Sequence, residues 1–86
     1  MSSPAVVMYT TSWCPYCDRA RRLLESKGAS VAEVDIESTP GKREEMRTRS
    51  GRNTVPQIFI GDTHVGGSDD LAALEAQGRL DALLHG

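Results

Sequence analysis

Apolar residues recur along the chain with two periodicities, that of a helix and that of a strand, and the first half of the sequence contains both. A short apolar run over residues 5–10 predicts a buried strand. Residues 15–27 carry apolar side chains at helical spacing and end before Gly28, which is suited to terminate a helix. Residues 31–36 alternate in a way that is typical of a strand with unequal faces. The first half therefore predicts a strand, a helix and a second strand.

The middle of the chain predicts a second helix with little hydrophobic surface. Ser38-Thr39-Pro40 offers a capping hydroxyl followed by a proline, which is favoured at the first helical position. A helix is therefore expected to begin near Pro40 and to stop at Gly51. Its apolar stripe consists essentially of Met46, so this helix has the weakest signal in the sequence.

The last third predicts a hairpin and a helical C-terminal region. Residues 57–60 and 63–65 flank a Gly-Asp pair that is suited to a tight two-residue turn, so these strands should be antiparallel neighbours. The leucines that follow predict one helix broken at Gly78 or two short helices. Ser68 or Asp69 can cap the start of this region.

These elements follow one another in the order β-α-β-α-β-β-α. Because a β-α-β crossover is right-handed, the first two strands are expected to be parallel, with the hairpin added in antiparallel orientation. The predicted fold class is α/β, with a four-stranded mixed sheet and helices on both faces. A chain of 86 residues is long enough for one modest core, so residues 1–86 are expected to form a single domain.

Charge and composition narrow the classes of partner. The chain has 12 acidic and 10 basic residues, a formal charge of −2, and no basic run long enough to follow a phosphate backbone, so no nucleic-acid partner is expected. The N-terminus lacks a positive segment, and its apolar run is shorter than the roughly 7 to 15 residues of a signal peptide. Neither membrane insertion nor export is expected, and the cytoplasm is the expected location.

Cys14-Pro15-Tyr16-Cys17 contains the only cysteines of the chain and lies where the first strand gives way to the first helix. Thiol–disulfide exchange needs a thiolate, whereas a free cysteine has a pKa near about 8.5. A helix N-terminus offers unpaired N–H groups and a positive dipole end, which stabilise a thiolate. We therefore predict that Cys14 is the nucleophile and that Cys17, one turn further on the inward face, is the resolving thiol.

Other interpretations of the cysteine pair remain open at this stage. A structural zinc site needs four ligands, and His64 and His85 are the only histidines that could complete it, so no metal is expected. The two cysteines could also be an inert buried pair. Trp13 and the tyrosine between the cysteines could be ordinary packing residues, or they could shape access to the reactive sulfur.

Thr54-Val55-Pro56 places a proline directly before the third strand. An X-Pro bond is cis in only about 5 to 6% of folded cases, so a trans proline at a strand edge is the simplest interpretation. A cis bond that serves the cysteine site is the alternative.

Three motifs in this order resemble the glutaredoxin family, in particular its small bacterial dithiol members. They are Cys-Pro-Tyr-Cys at 14–17, Thr-Val-Pro at 54–56 and Gly-Gly-Ser-Asp-Asp at 66–70, and the likeness spans nearly the whole chain. The resemblance implies a thioredoxin-like fold and a cis peptide before Pro56. It also implies that glutathione, as the reducing co-substrate, binds in a groove beside Cys14.

The resemblance further implies a set of glutathione-binding residues. They are Tyr16, Arg43, Thr54, Val55, Pro56, Gly67, Ser68 and Asp69. Val55 would pair its backbone with the cysteinyl part of the tripeptide, as an added strand does. Ser68 and Asp69 would hold the γ-glutamyl end at a helix N-terminus, which is also where they could simply cap the helix. Tyr16 would flank the ligand and Arg43 would reach the glycine carboxylate.

One position departs from the family pattern. Glutaredoxins often have a lysine three residues before the first cysteine, and this chain has Thr11 there. The helix terminus must then supply more of the thiolate stabilisation.

The implied activity is a glutathione-dependent reduction of protein disulfides and of protein–glutathione mixed disulfides, by a monomer. Ribonucleotide reductase, other reductases and glutathionylated proteins are all compatible partners. Three alternatives stay open. Residues 9–14 also resemble the entry to the active site of mycoredoxins, which use mycothiol. The protein could instead carry an iron–sulfur cluster between two chains, each giving Cys14, or be reduced directly by a flavoprotein reductase.

Overall fold

The structure is a computed structural model that describes residues 4–85. The first three residues, which belong to the N-terminal segment considered above, lie outside the described residues. Four strands are present: β1 (Val6–Thr10), β2 (Val31–Asp35), β3 (Gln57–Ile60) and β4 (Thr63–Gly66). The helices are α1 (Pro15–Ser26), α2 (Lys42–Ser50), α3 (Ser68–Ala76) and α4 (Leu80–His85). No helix within residues 4–85 is both long enough and apolar enough to cross a bilayer.

The strands form one mixed sheet in the order β2-β1-β3-β4. β1 and β2 run parallel, as the crossover through α1 requires, and β3 lies antiparallel to β1 on its other side. β3 and β4 form the predicted hairpin, in which Ile60 pairs with Thr63 across the turn. The predicted four-stranded mixed sheet is confirmed.

Helices cover both faces of the sheet, and each face has its own hydrophobic core. The larger core packs α1, α3 and α4 onto one face, with Met8 and Ile58 from the central strands and Leu24, Leu71 and Leu84 from the helices. The smaller core on the other face groups Tyr9, Ile36, Met46 and Phe59. Since side chains alternate along a strand, Met8 and Tyr9 enter opposite cores.

α2 is attached to the sheet by one apolar residue and by a polar bridge. Met46 is completely buried, as the sequence predicted for the helix's thin apolar stripe. Beside it, the buried Tyr9 donates its hydroxyl hydrogen to Glu45, and Arg49 donates to the same hydroxyl oxygen. Burial raises the pKa of Tyr9, and its hydrogen bond lowers the pKa of Glu45. Polar contacts thus supplement the small apolar surface of α2.

α2 begins two residues later than the sequence predicted. Pro40 and Gly41 form a turn, closed by a 3.3 Å hydrogen bond from the Lys42 amide to the Thr39 carbonyl. Gly41 has a φ of +84°, which a turn tolerates and a helix does not. The proline therefore serves the turn, and neither Ser38 nor Thr39 caps the helix.

The C-terminal region forms two helices, one of the two outcomes expected. Gly78 separates them with a φ of +71°. The expectation that Ser68 or Asp69 would cap α3 is wrong, because the capping position is Gly67. The Asp70 carboxylate accepts the Gly67 amide hydrogen at 2.9 Å, so the cap comes from inside the first turn.

Candidate active site

The two cysteines lie at the N-terminus of α1, just beyond the C-terminal end of β1. Cys14 is the N-cap residue with an extended backbone, and Pro15 occupies the first helical turn. Cys14 and Cys17 are joined as a disulfide with their Cα atoms 5.2 Å apart. The Cys17 amide also donates to the Cys14 sulfur at 3.2 Å. The capping role that serine or aspartate usually fills is taken here by a sulfur atom.

Exposure distinguishes the two sulfur-bearing residues. Cys17 is 1% exposed and belongs to the larger core, whereas Cys14 is only partly buried. Trp13 is 83% exposed and Tyr16 is 57% exposed. The packing interpretation of these two aromatics is therefore wrong, since both project into solvent close to Cys14. Only Cys14 is positioned for attack by, or on, an external sulfur compound.

The segment before β3 lies beside the cysteines. The Val55–Pro56 peptide bond is cis, as the resemblance implied. Thr54 is anchored by the buried Gln57, whose Nε2 donates to the Thr54 carbonyl oxygen at 3.1 Å. Within residues 4–85, no backbone hydrogen bond engages Val55. Its main chain is therefore available to an external partner.

The N-terminus of α3 forms the third part of the site. Ser68 and Asp69 occupy the first turn of the helix, where N–H groups lack partners within the helix. Asp70 accepts from the Gly67 amide and from Arg52, whose Nη1 is 2.9 Å away. These contacts, the backbone one first, lower the pKa of Asp70. The helix start thus combines backbone donors with a carboxylate that is ionised at neutral pH.

A groove of about 240 Å³ joins these parts. It is lined by Tyr16, Arg52, Thr54, Val55, Pro56, Gly67, Ser68, Asp69 and Asp70. Seven of the eight predicted glutathione-binding residues therefore meet at one surface. A second cavity, of about 310 Å³, opens at the other end of β1 and contains neither cysteine.

Arg43 is the predicted residue that does not line the groove. It lies on the exposed face of α2, and its guanidinium donates to Asn53 at 3.3 Å. Arg52 and Asp70 line the groove and were missed. The signal for Asp70 was its place three residues after Gly67, where an acidic side chain can reach back to the helix start. The signal for Arg52 was its place two residues before Thr54.

The histidines considered as zinc ligands have other contacts. His64 Nε2 lies 2.8 Å from Gln57 Oε1, and His85 Nε2 lies 3.1 Å from the Lys27 carbonyl oxygen. Burial, the largest cause, lowers the pKa of His64. Within residues 4–85, no three His, Cys, Asp or Glu side chains converge as a metal site would require.

Fold and site together define a class of protein. A cysteine pair at a helix N-terminus, with one sulfur accessible and one buried, next to a cis proline on a thioredoxin-like sheet, is the arrangement of a dithiol thiol–disulfide oxidoreductase.

Comparisons with known proteins name the family within that class. The glutaredoxin family model matches residues 6–65. Glutaredoxin 3 of Escherichia coli is 60% identical over 79 residues, which cover 92% of this chain and 95% of the relative. This chain belongs to the glutaredoxin family and, like its members, is a thiol–disulfide oxidoreductase.

Solved structures agree with the fold. A glutaredoxin from Brucella melitensis superposes with a TM-score of 0.85 at 58% identity, covering 98% of this chain and 91% of the other. A buckwheat glutaredoxin, solved as a complex with glutathione, superposes with a TM-score of 0.86 at 28% identity, covering 96% of this chain and 77% of the other.

Proposed function

We propose that this protein uses glutathione to reduce protein disulfides and protein–glutathione mixed disulfides. The observation that carries the proposal is the groove that runs from Tyr16, beside Cys14, past Val55 to the start of α3. A ligand held there would be close to the one accessible sulfur. The buckwheat glutaredoxin, which has the same fold, is known as a glutathione complex.

The groove offers chemistry that matches the groups of glutathione. The free main chain of Val55 can pair with the peptide unit of the cysteinyl residue. The N–H groups at Ser68 and Asp69 suit the γ-glutamyl α-carboxylate, because a helix N-terminus favours an anion. The carboxylates of Asp69 and Asp70 suit its ammonium group. Tripeptide and groove are thus complementary in both hydrogen bonding and charge.

Two arginines are available for the glycine carboxylate of glutathione. Arg52 lines the groove and is bound to Asp70, whereas Arg43 lies beyond the lining residues and is bound to Asn53. The Arg52–Asp70 ion pair and the Arg43–Asn53 hydrogen bond are both exposed to solvent. Either guanidinium can therefore turn toward a ligand at low cost in free energy. Thr11 stands where many relatives carry a lysine, and it adds no cation.

The reaction consists of balanced sulfur exchanges. The Cys14 thiolate attacks the glutathione sulfur of a protein–glutathione mixed disulfide, the S–S bond breaks, and the protein leaves as a thiolate. The thiolate of a second glutathione attacks the sulfur now bound to Cys14, which releases glutathione disulfide and returns Cys14 as a thiolate. One glutathione is consumed in each cycle, because the other half of the glutathione disulfide comes from the substrate, and the protein is recovered as a thiol.

With a protein disulfide, the Cys14 thiolate attacks first, and Cys17 then attacks the mixed disulfide between Cys14 and the protein, which releases the reduced protein and leaves the Cys14–Cys17 disulfide. Two glutathiones reduce this disulfide in two exchanges and leave as glutathione disulfide, so two electrons pass from two glutathiones to the protein substrate.

The buried position of Cys17 fits this division of roles. Its sulfur can reach only the neighbouring Cys14, and the Cys17 amide already points at the Cys14 sulfur. The same amide donates to the Cys14 thiolate whenever that sulfur leaves in an exchange step. A stabilised leaving thiolate speeds the exchange in which glutathione releases Cys14.

Single-cysteine variants test the assigned roles. We expect Cys14→Ser to lose both activities, because no accessible sulfur remains. We expect Cys17→Ser to lose reduction of protein disulfides but to keep the removal of glutathione from protein thiols, which needs one cysteine only. The measurement is a steady-state assay with a glutathionylated peptide and with a disulfide-bonded protein, coupled to glutathione reductase.

The same assay separates glutathione from other reductants. Mycothiol with its reductase, and a flavoprotein reductase with NADPH alone, are run in parallel on the wild type. Rapid turnover with either of these and none with glutathione would contradict the proposal. Loss of deglutathionylation in both cysteine variants would contradict the roles of the two sulfurs.

The accessible surface around Cys14 supports a protein as the substrate. Trp13 and Tyr16 are solvent-exposed, so the disulfide of a folded protein can approach the sulfur from outside. Ribonucleotide reductase and glutathionylated proteins are candidate substrates. The proposed setting is the cytoplasm, since glutathione there keeps such thiols reduced.

A further inference from the structure

A partly buried chain of hydrogen bonds runs from β4 through β3 to the wall of the groove. Gln57 on β3 is completely buried. Its Nε2 donates to the Thr54 carbonyl oxygen at 3.1 Å and to Thr54 Oγ1 at 3.2 Å. His64 on β4 places its Nε2 2.8 Å from Gln57 Oε1. Both ends of the buried amide are therefore engaged, as a buried polar group requires.

The hydrogen bonds of Gln57 determine which atoms of Gln57 and His64 donate and which accept. Both hydrogens of the Gln57 amide are directed to Thr54, so Gln57 Oε1 is left as an acceptor. His64 must then donate through Nε2. The ring of Phe59 stacks on the imidazole, with centroids 4.8 Å apart, and keeps it in this orientation. The hydrogen bonds therefore run in one direction: His64 donates to Gln57, and Gln57 donates to Thr54.

The geometry of the Thr54–Val55 peptide links the Gln57 hydrogen bond to the direction of the Val55 N–H. The peptide bond between Thr54 and Val55 is trans, since the cis bond lies one residue later. In a trans peptide unit the carbonyl and the following N–H point in opposite directions. Because the Thr54 carbonyl points inward to Gln57, the Val55 N–H points outward, toward the groove that Val55 lines.

We propose that Gln57, braced by His64, is a positioning residue for substrate binding, because it holds the Thr54–Val55 peptide so that the Val55 N–H faces the groove. The inference rests on the proposed function, since the partner of that N–H is the main chain of glutathione. Gln57 and His64 do not line the groove. They therefore act through the Thr54–Val55 peptide and not by contact with the ligand.

Gln57→Glu tests this role with almost no change of size. The substitution replaces the donating NH₂ group by a carboxylate oxygen, which repels the Thr54 carbonyl and turns the peptide away. We expect the KM for glutathione to rise about tenfold, as the loss of one well-placed hydrogen bond would give. The alkylation rate of reduced Cys14 should stay the same. Gln77→Glu, the same change at the exposed end of α3, is the matched control and should leave both values unchanged.

A second variant protects the test against a folding defect in Gln57→Glu. His64→Phe keeps an aromatic ring on Phe59 but removes the N–H donor, so Gln57 loses the partner that orients it. We expect the KM for glutathione to rise about threefold, a smaller effect because Gln57 can still donate to Thr54. An unchanged KM in folded Gln57→Glu, or in folded His64→Phe where Gln57→Glu does not fold, would overturn the inference.

The Val55 amide signal in ¹⁵N NMR spectra gives a readout that needs no glutathione. In the free protein, we expect this signal to move in Gln57→Glu and to stay in place in Gln77→Glu. A Val55 signal that is unchanged in folded Gln57→Glu contradicts the positioning role, whichever thiol the wild type uses. A wild type that does not turn over with glutathione contradicts the proposed function, so the two failures are distinguishable.

Discussion

Asp70 is a single residue that serves both the fold and the groove. Its carboxylate accepts from the Gly67 amide, which caps α3, and from Arg52, which lines the groove. Its pKa is lowered, first by the Gly67 amide and then by Arg52. Under the proposed function, the same negative charge would pair with the ammonium group of the γ-glutamyl residue of glutathione. Arg52 would then be free to turn toward a carboxylate elsewhere on the ligand.

Asp70→Asn should cost little stability, and less in acid than at neutral pH. The substitution keeps an acceptor for the Gly67 amide and removes the charge that pairs with Arg52. The Asp70 side chain is 45% exposed, so solvent screening limits the expected loss to less than about 1 kcal/mol. The measurement is urea unfolding of both proteins at neutral pH and at about pH 3.

The sign of the pH dependence follows from the lowered pKa of Asp70. A carboxylate whose folded-state pKa lies below its unfolded value of about 3.9 contributes stability above that value. The contribution is lost as the pH falls through the folded-state pKa. The difference between wild type and Asp70→Asn should therefore shrink in acid, and a difference that grows in acid would contradict the assigned contacts.

At the scale of elements, α2 depends on one apolar anchor. Met46 is the buried residue of this helix and packs against Tyr9 and Phe59 of the sheet. The polar bridge between Tyr9, Glu45 and Arg49 lies beside it. α2 also leads into the segment that carries Thr54 and Val55, so its docking supports one wall of the groove.

Met46→Ala should destabilise the protein more than any change on the exposed face of α2. Removing a fully buried methionine leaves a cavity, and we expect a loss of about 2 to 4 kcal/mol in the free energy of unfolding. Thr48→Ala, an exposed position on the same helix, is the control and should change stability by less than about 0.5 kcal/mol. Equal losses in the two variants, measured by urea unfolding, would show that Met46 is not the anchor.

Elements with a strong hydrophobic period were predictable from the sequence, whereas their ends were not. β1, α1 and the hairpin follow the apolar pattern closely. The predicted start of α2 was wrong because Pro40 suits a helix start and a turn equally well. The positive φ of Gly41 is compatible with the turn and not with the helix. The predicted cap of α3 was wrong because Ser68 and Asp69 already lie inside the helix, where Gly67 is the N-cap and Asp70 reaches back to its amide.

At the scale of the whole molecule, the sheet brings together three segments that lie far apart in the sequence. The ends of β1 and β3 carry the cysteine turn and the cis proline segment, and β4 leads directly into α3. The parallel pairing of β1 with β2 and the antiparallel hairpin could be predicted, because a β-α-β crossover and a tight turn leave few choices, whereas the order β2-β1-β3-β4 comes from the structure. The groove follows from that order.

Side-chain partnerships inside the site could not be predicted in the same way. Pairs such as Arg52 with Asp70, and Gln57 with His64, join different elements, and no local pattern indicates them. The motifs located the groove because it is built largely from backbone near glycine and proline. Arg43 has a long, exposed side chain, and its contact with Asn53 could not be read from spacing.

The central claim is that the fold holds the Cys14 sulfur ionised at the N-terminus of α1. The direct test is the pH dependence of iodoacetamide alkylation of Cys14 in the reduced Cys17→Ser variant, native and unfolded in urea. The native protein should already react at its maximal rate at neutral pH, whereas the unfolded chain should follow a free thiol that titrates near about 8.5. Identical profiles for the native and unfolded protein would contradict the account.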